Sequence, residues 1–298
     1  VKTKENDFSL SMFIGLANSR AAETLYNKAL MALVSGKKNN TKLTVYDENN
    51  DIHQQVIQTI SWTKKLKSAI ESNGIAIFGQ RIMDINQNVY STEVLMRYRD
   101  PETNQYISPV LFLKYAEKAK IYNQLTLAII KKSFLYFANN PQRFSINLTM
   151  NDIEDEKTLS MLFMLIKHNN NGKYLTIELV ESTHYESNSQ LFDRFIMEVK
   201  ALGCLVAIDD FGSGYSNFEY LTKMPIDILK IDGSLIRNIT NSKRHFLIVK
   251  TITDFCKALD IKVVAEYVEN ETIFDMLQSL NIEYYQGYHF HQPELLSV

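Results

Sequence analysis

Residues 205–216 read Leu205-Val-Ala-Ile-Asp-Asp-Phe-Gly-Ser-Gly-Tyr-Ser216, an apolar run that ends in two carboxylates and continues into a loop with two glycines. Strands that are buried on both faces of a parallel sheet are nearly continuous apolar runs, so charged residues at the end of one are unusual. Gly212 and Gly214 permit backbone conformations that other residues resist. The stretch therefore predicts a buried parallel strand whose carboxyl end carries Asp209 and Asp210 beside a mobile loop.

The same pattern recurs from residue 75 onward, where short β-rich runs alternate with longer amphipathic stretches such as 152–167, 187–202 and 244–259. Strands that alternate with helices predict a parallel sheet. Eight such units in about 230 residues favour a TIM-like (β/α)8 barrel of the α/β class, with an open doubly wound sheet as the alternative. The strand candidates are Ile75–Gln80, Thr92–Arg97, Phe144–Leu148, Leu175–Val180, Leu205–Asp210, Ile228–Ile231, Val263–Val268 and Glu283–Tyr288.

The first 70 residues lack this alternation. Their pattern predicts, in order, a strand at 8–14, a helix at 21–34, a polar turn at 36–40, a strand at 42–46, a polar linker at 47–54 and a helix at 59–73. A strand, a helix and a strand bury little core alone. We therefore expect a partial α+β segment over 1–50, a linker and connecting helix over 51–69, and the barrel over 70–298. Because the chain opens at Val1 without Met, we expect a fragment of a longer protein.

Composition excludes several classes of protein. Of 298 residues, 45% are hydrophobic and 22% charged, which is typical of a globular chain and not of a disordered or fibrous one. The net charge of −2 argues against binding to duplex nucleic acid. We expect no membrane contact from this fragment, because it has no apolar run of about 18 residues. The two cysteines, Cys204 and Cys256, make no disulfide framework, so a cytoplasmic location is expected.

Most of the predicted strands carry a charged or amide residue late in the run. These residues are Glu93, Asn147, Glu178, Asp209, Asp210, Lys230 and Glu266, with Gln80 and Gln286 in the first and last runs. A buried carboxylate is costly unless it is paired or bound to a metal ion, and a single one is more often a structural polar group. Their recurrence on strand after strand predicts a shared site at the carboxyl-end rim of a barrel, where such enzymes keep their active sites.

Carboxylates gathered in one pocket repel one another and take up protons unless cations are present. Oxygen ligands without Cys or His select Mg²⁺ or Mn²⁺. Adjacent Asp209 and Asp210 can bridge two such ions, which suits attack on a phosphodiester. Lys230 would hold or deprotonate the attacking water. Arg97 would meet a substrate phosphate or, alternatively, form a surface ion pair.

These motifs resemble the EAL domain, a family of bacterial phosphodiesterases that linearise cyclic di-GMP to pGpG on a TIM-like barrel. The resemblance covers about residues 70–298. It rests on Glu93-Val-Leu95, the strand of Asn147, Glu178-Leu-Val-Glu181, Asp209-Asp-Phe-Gly-Ser-Gly-Tyr-Ser216, Leu229-Lys-Ile-Asp232, Ala265-Glu-Tyr-Val-Glu269 and Gln286-Gly-Tyr-His-Phe-His-Gln-Pro293. It implies a phosphodiesterase that uses two Mg²⁺ or Mn²⁺ ions, takes cyclic di-GMP as substrate and forms a homodimer through the barrel. It also implies a cytoplasmic fragment of a signalling protein whose sensory or membrane segments lie upstream of Val1.

The resemblance implies a role for each matching residue. The first metal ion would be held by Glu93, Asn147, Glu178 and Asp209, and the second by Asp209, Asp210 and Glu266. Lys230 would position or activate the water, with Glu93 and Glu266 in the same catalytic set, and Glu181 would anchor the loop after Asp210. Gln80 would contact guanine and Arg97 phosphate, while Glu269 and Gln286 would complete the pocket by hydrogen bonding.

Four positions depart from the family pattern: Val94 stands for Ala, Ser213 for Thr, Tyr267 for Gly and Arg81 for Pro. No expected carboxylate, Asn or Lys is missing, so hydrolysis is the favoured function. The alternatives are a weak or inactive domain that senses cyclic di-GMP by binding it, and a scaffold that only contacts partners. His289 and His291 are expected at the rim and not as ligands.

Residues 1–50 resemble the end of a GGDEF domain. The resemblance rests on a strand at 9–16, the helix with Ala29 and Ala32, the run Lys37-Lys-Asn-Asn, and Val45-Tyr-Asp. The Gly-Gly-Asp-Glu-Phe signature itself is absent from the sequence, so this segment is expected to be a remnant without a cyclase site.

Overall fold

The structure is a computed structural model of the 298-residue chain and describes residues 12–18, 22–47, 51–169, 171–180, 189–214, 221–222 and 224–297. The chain divides into two compact units. The first comprises Val1–Ser68 and Phe112–Ile121, and the second comprises Ala69–Leu111 and Tyr122–Val298. No helix among the described residues is long and apolar enough to cross a membrane.

The first unit begins with strand β1 (Ile14–Leu16), helix α1 (Ala22–Lys38) and strand β2 (Leu43–Val45), and the two strands pair in parallel. The predicted strand–helix–strand order agrees with this arrangement, although residues 8–11 of the first predicted strand lie outside the described part. The predicted turn at 36–40 is too early, because α1 continues to Lys38. Within the last turn of α1, a Cβ at Gly36 would lie 2.6 Å from the Thr44 hydroxyl, so glycine lets the helix approach the β2 strand closely.

Helix α2 (Asp51–Glu71) follows, so the predicted polar linker at 47–54 is helical from Asp51 onward. The predicted helix at 59–73 lies almost wholly within α2, which closes as the Gly74 amide donates to the Ala69 carbonyl. Trp62 of α2 packs on Phe112 and Tyr115 at ring-centroid distances of 5.7 and 6.4 Å. Tyr115 belongs to the short helix α3 (Leu113–Lys118), which completes the first unit.

The second unit holds the remaining elements. Its strands are β3 (Ile75–Asp84), β4 (Val89–Arg99), β5 (Tyr106–Ile107), β6 (Phe144–Leu148), β7 (Leu175–Val180), β8 (Leu205–Phe211), β9 (Ile228–Ile231), β10 (Lys262–Ala265), β11 (Tyr284–Tyr285) and β12 (Glu294–Leu295). Its helices are α4 (Tyr122–Asn139), α5 (Met150–Glu154), α6 (Glu156–Asn169), α7 (Ser189–Ala201), α8 (Gly233–Ile236), α9 (Lys243–Ala258) and α10 (Glu271–Ser279). Two 3₁₀ turns lie at Pro109–Leu111 and Gly172–Tyr174.

Eight of these strands close into a barrel in the order β3-β4-β6-β7-β8-β9-β10-β11, and β11 pairs back to β3. Strand β5 pairs with β4, and β12 pairs with β3, outside the ring. The TIM-like α/β barrel expected from the sequence is therefore confirmed, and the open sheet is excluded.

The expectation of a wholly parallel sheet is wrong for the first strand, because β3 runs antiparallel to both of its ring neighbours, β4 and β11. The reason is the short connection between β3 and β4. The Asp84 Oδ1 atom accepts from the Asn86 and Asn88 amides at 2.9 and 2.8 Å, and Gln87 adopts a left-handed φ of 60°. Such a turn makes a hairpin, whereas a parallel pairing needs a crossover of a dozen or more residues.

Three other predicted bounds shift for local reasons. The predicted strand at 263–268 ends at Ala265, because Tyr267 takes a left-handed φ of 52° that leaves the sheet. The predicted strand at 283–288 shortens to Tyr284–Tyr285. The amphipathic stretch 152–167 divides into α5 and α6 at Asp155, whose extended backbone interrupts the helix.

The amino end of the barrel is filled by apolar side chains. Ile82, Ala207, Ile228 and Val264 form a buried cluster, against which the partly buried Tyr90, Leu205 and Tyr284 pack. The rings of Tyr90 and Tyr284 lie 4.1 Å apart. The exposed Lys262 ammonium sits over both rings at 5.2 and 5.8 Å. The polar residues of the predicted site therefore lie at the opposite, carboxyl end.

Candidate active site

Lys230, in β9, is the centre of the polar layer at the carboxyl end. Its side chain is 1% exposed, and its ammonium contacts four carboxylates, three from strands β4, β7 and β8 and one from the residue that follows β10. The distances from Nζ are 2.9 Å to Glu266 Oε1, 3.0 Å to Asp209 Oδ1, 3.1 Å to Glu178 Oε2 and 3.2 Å to Glu93 Oε2. The predicted residues of the rim thus converge on one buried cation.

The sheet register explains this convergence. Glu178 of β7 lies beside Asn147 of β6, and Glu93 of β4 lies beside Gln80 of β3. Neighbouring parallel strands bring residues at matching heights to the same rim, and side chains of one parity point inward. Four carboxylates that are far apart in sequence therefore share one small volume, and each of their residues is buried.

The carboxylates form two groups that could each hold a metal ion. Ligand atoms of Glu93, Glu178 and Asp209 all lie within 4.8 Å of one another, and so do those of Asp209, Asp210 and Glu266. Asp209 belongs to both groups. These are the residue sets that the resemblance divides between a first and a second ion, apart from the amide of Asn147.

Amide side chains orient Glu93. The Asn147 Nδ2 atom donates to Glu93 Oε1 at 3.0 Å, and Gln286 Nε2 donates to Glu93 Oε2 at 2.6 Å. Gln286 Nε2 also reaches Gln80 Oε1 at 3.3 Å, and Gln80 Nε2 donates to the His291 carbonyl at 3.2 Å. Gln286 thus holds Glu93 directly and Gln80 holds Gln286, and both glutamines also line the pocket.

The electrostatics reflect an excess of buried negative charge. Burial, followed by repulsion from Glu93, raises the pKa of Glu178 to about 8. Burial and the neighbouring Asp209 raise the pKa of Asp210 to about 6. Burial also raises the pKa of Asp209 and that of Glu266, although Lys230 opposes both shifts.

Glu93 and Lys230 shift in the opposite sense, toward their charged forms. Burial disfavours the Glu93 carboxylate, but attraction to Lys230 and hydrogen bonds from Gln286 and Asn147 outweigh it, so the pKa of Glu93 is lowered. Burial likewise disfavours the ammonium of Lys230, and the surrounding carboxylates nevertheless hold its pKa well above the ordinary value. Lys230 is therefore a hydrogen-bond donor in this arrangement.

The backbone is strained where the second carboxylate group forms. Asp210 has a left-handed φ of 57°, and its amide donates to Asp209 Oδ1 at 3.0 Å. Gly212 follows with φ 99°, where a Cβ would lie 2.3 Å from Leu235 Cδ1. Left-handed conformations of residues other than glycine cluster at functional sites. Glu181, expected to anchor this loop, lies outside the described residues.

A pocket of about 490 Å³ opens above the carboxylates. Of the predicted substrate-binding residues, Gln80, Arg97, Glu269 and Gln286 all line it. The Arg97 guanidinium donates to the Met96 carbonyl at 2.7 Å and lies over the Phe78 ring at 5.4 Å. Glu269 is half-exposed at the rim, where its carboxylate pairs with Arg237 at 3.5 Å.

Other residues that line the pocket were not among the predicted site residues: Ser108, Pro109, Val110, Arg237 and Tyr288, together with Tyr267, which was noted only as a departure from the pattern. Pro109 and Val110 belong to a 3₁₀ turn after β5, and Arg237 follows α8. Ser108, Pro109, Val110 and Arg237 lie in no predicted strand and in no motif, so the sequence carried no signal for them, whereas Tyr267 and Tyr288 lie within motifs but were given no role. His289 and His291 pair with Glu271 and Glu294 at 3.0 and 3.3 Å, and neither is in the two carboxylate groups.

Comparison with known proteins agrees with this geometry. Residues 63–293 match the EAL domain. The chain belongs to the EAL domain family. It is 29% identical over 310 residues to the cyclic di-GMP phosphodiesterase PdeB of Shewanella oneidensis, a match that covers 99% of this chain and 36% of that protein. It is 31% identical over 251 residues to the cyclic di-GMP phosphodiesterase PdeF of Escherichia coli K12, covering 82% of this chain and 33% of PdeF.

The EAL chain therefore spans about a third of the length of these two curated relatives. Among solved structures, it resembles the EAL enzyme Bd1971 in its cAMP and cyclic di-GMP bound form, with a TM-score of 0.75 and 23% identity. That match covers 93% of this chain and 74% of Bd1971. At 23% identity, this similarity shows a shared fold and no more.

Proposed function

We propose that this EAL chain hydrolyses cyclic di-GMP to linear pGpG with the help of Mg²⁺ or Mn²⁺. The observation that carries the proposal is the pair of carboxylate groups that share Asp209 at the barrel rim. Membership of the EAL family and the relatives named as cyclic di-GMP phosphodiesterases support the choice of substrate.

The donor set fits hard divalent ions. Of the five carboxylates of Glu93, Glu178, Asp209, Asp210 and Glu266, all but that of Asp210 contact the buried Lys230, and burial together with neighbouring negative charge raises the pKa values of Glu178 and Asp210. Oxygen donors without thiol or imidazole suit Mg²⁺ and Mn²⁺. Glu93, Asn147, Glu178 and Asp209 would hold the first ion, and Asp209, Asp210 and Glu266 the second. Bound there, such ions supply charge for the phosphate oxygens and a nucleophilic water.

The chain's own residues have separate tasks in this proposal. The Lys230 ammonium donates a hydrogen bond that holds the attacking water, since its neighbours keep it protonated. Gln286 and Asn147 fix the orientation of Glu93. Arg97 contacts a phosphate and Gln80 a guanine, while Glu269 and Gln286 complete the pocket. Glu181 anchors the loop after Asp210.

The proposal extends to the rest of the chain. Residues 1–50 are the remnant of a GGDEF-like domain, 51–69 a linker with its connecting helix, and 70–298 the catalytic barrel. The strand–helix–strand order of β1, α1 and β2 supports the first assignment. Two EAL chains associate through their barrels. Light scattering on the purified chain tests the last point, because a monomer at every concentration would contradict it.

The activity is tested by incubation of the protein with cyclic di-GMP and Mn²⁺ or Mg²⁺ at alkaline pH, because burial raises the pKa of Glu178 to about 8 and the ions bind its deprotonated form. Chromatography should show pGpG accumulating, no product in excess EDTA, and none with Glu93→Gln. Arg194→Ala is the control, because the exposed Arg194 pairs, within the part of the chain that the structure describes, with the partly exposed Glu198 on α7. Calorimetric binding of cyclic di-GMP without product would contradict hydrolysis and favour a sensor. If the protein neither binds cyclic di-GMP nor forms product, both the hydrolase and the sensor proposals are contradicted.

A further inference from the structure

Tyr267 is an unusual residue at the pocket wall. It directly follows Glu266 and has a left-handed φ of 52°, a conformation that bulky side chains rarely adopt. Its side chain is nevertheless about half-exposed and lines the same pocket as Asp210 and Glu266. Contacts of the Tyr267 ring must therefore compensate for this unfavourable backbone conformation.

Two neighbours hold the ring. Gly233, at the start of α8, leaves the space it occupies, because a Cβ there would lie 2.3 Å from Tyr267 Cδ2 and 2.5 Å from its Cγ. Arg237, one helical turn later, places its guanidinium carbon 4.2 Å from the centre of the Tyr267 ring. Glu269 steadies that guanidinium at 3.5 Å. Gly233 thus leaves room for the Tyr267 ring, and Arg237 contacts it.

The result is a guanidinium group that lies over an aromatic ring at the mouth of a pocket that several carboxylates also line. Arg237 and Tyr267 both line the pocket, and each is about half-exposed. Aromatic rings and guanidinium planes are the surfaces on which proteins stack unpaired nucleobases. A guanidinium also matches the acceptors on the edge of guanine.

We propose that the Tyr267–Arg237 pair binds one purine base of the substrate and so determines specificity for the nucleotide. The inference rests on the proposed function, since the base belongs to the dinucleotide whose phosphodiester is cleaved at the carboxylates. The pair acts on binding and not on the bond that breaks. Its loss therefore raises KM and leaves kcat unchanged.

Tyr267→Gly removes the ring and also relieves the left-handed backbone, so the variant should fold at least as stably as the wild type. Gly233→Ala displaces the ring without changing charge. Tyr267→Phe keeps the ring and is the matched control. For cyclic di-GMP we expect KM to rise about tenfold in the first two variants, as the loss of one stacked base predicts, with kcat within about twofold and Tyr267→Phe close to wild type.

Two competitive inhibitors separate the base from the phosphate. GMP carries both groups, whereas ribose 5-phosphate carries only the phosphate. Tyr267→Gly and Gly233→Ala should weaken inhibition by GMP about tenfold and leave inhibition by ribose 5-phosphate unchanged. Equal weakening of both inhibitors would overturn the proposal in favour of a phosphate site, and so would a fall in kcat with unchanged KM.

The test also separates this inference from the activity itself. If the wild-type protein releases no pGpG, the proposed hydrolysis fails, and calorimetry with GMP then measures the base site alone. Weaker binding of GMP by Tyr267→Gly, restored in Tyr267→Phe, would support the base site. Equal GMP affinity in wild type and Tyr267→Gly would overturn it.

Discussion

The two ends of the barrel each carry a lysine, and the lysines have opposite surroundings. At the carboxyl end, Lys230 is buried among four carboxylates. At the amino end, Lys262 is exposed above the rings of Tyr90 and Tyr284, which pack on an apolar cluster. The carboxyl end contains buried charged groups, whereas at the amino end aromatic rings cover apolar side chains.

This difference separates function from stability. Buried charges cost free energy even when they are paired, whereas buried apolar side chains stabilise the fold. The carboxyl end also contains the left-handed backbone of Asp210 and Tyr267. The charge and strain of the carboxyl end are thus explained by binding and chemistry, and the amino end by packing.

The largest effect is expected from Lys230→Met. Removal of the central cation leaves the buried acidic groups around it without their partner, so the free energy of unfolding should fall by about 3–5 kcal/mol, and turnover should vanish. Urea denaturation at neutral pH, without divalent ions, measures the change. A loss below about 1 kcal/mol would show that the carboxylates do not depend on Lys230, and would remove the central feature of the comparison.

Glu178→Gln should separate activity from stability. Because the pKa of Glu178 is about 8, the residue is largely protonated at neutral pH, and an amide of the same shape should leave the unfolding free energy almost unchanged. Turnover should fall about 100-fold or more, because the proposed ion loses an anionic ligand. Steady-state kinetics beside Glu198→Gln, at a partly exposed residue on α7 outside the pocket, provides the check. Undiminished turnover would place the metal chemistry elsewhere.

The carboxyl end should make stability depend on pH in a direction that is unusual for acidic groups. A carboxylate whose pKa is raised by folding contributes its full stability below its ordinary pKa, and that contribution is lost as pH rises through the folded value. For Asp210 the loss runs to about pH 6, and for Glu178 to about pH 8.

Divalent ions bind the deprotonated groups, so they should reverse this loss. The increase in melting temperature caused by Mn²⁺ should be several degrees larger above pH 8 than at pH 6, by differential scanning fluorimetry. At 100 times the dissociation constant, the ion adds about 2.7 kcal/mol. An equal shift at both pH values would mean that Mn²⁺ binds outside the carboxylate cluster.

The smallest effect is expected from Lys262→Met. The exposed ammonium makes cation–π contacts with Tyr90 and Tyr284 and a 3.3 Å hydrogen bond to the Tyr90 hydroxyl, and such exposed contacts are weak, so the unfolding free energy should change by no more than about 1 kcal/mol. Turnover should be that of the wild type, because the residue lies at the far end of the barrel. A loss of turnover comparable to that of Lys230→Met would contradict the assignment of function to the carboxyl end and of stability to the amino end.

The barrel fold was predictable from the sequence because each strand candidate has two signals, an apolar run and a polar residue near the end of that run. It did not reveal the reversal of β3, since the hairpin depends on side-chain hydrogen bonds of Asp84 within a few residues. Strand patterns look alike in either direction, and only the length of the connection separates them.

The same limit applies to the site. Asp209, Glu178 and their partners were predictable, because buried charge in apolar strands has few explanations. That Lys230 would contact four of them was not predictable, because it depends on the closed ring and its register. Arg237 was not predictable from the sequence for a related reason, because its proposed role depends on the Tyr267 ring, over which its guanidinium lies only in the folded chain.

The most direct test of the central claim is anomalous scattering from crystals grown with Mn²⁺. We predict two peaks at the carboxyl-end rim, about 3.5–4 Å apart, one among Glu93, Glu178 and Asp209 and the other among Asp209, Asp210 and Glu266. Crystals in which the rim carries no peak, while Mn²⁺ supports turnover in solution, would contradict the claim.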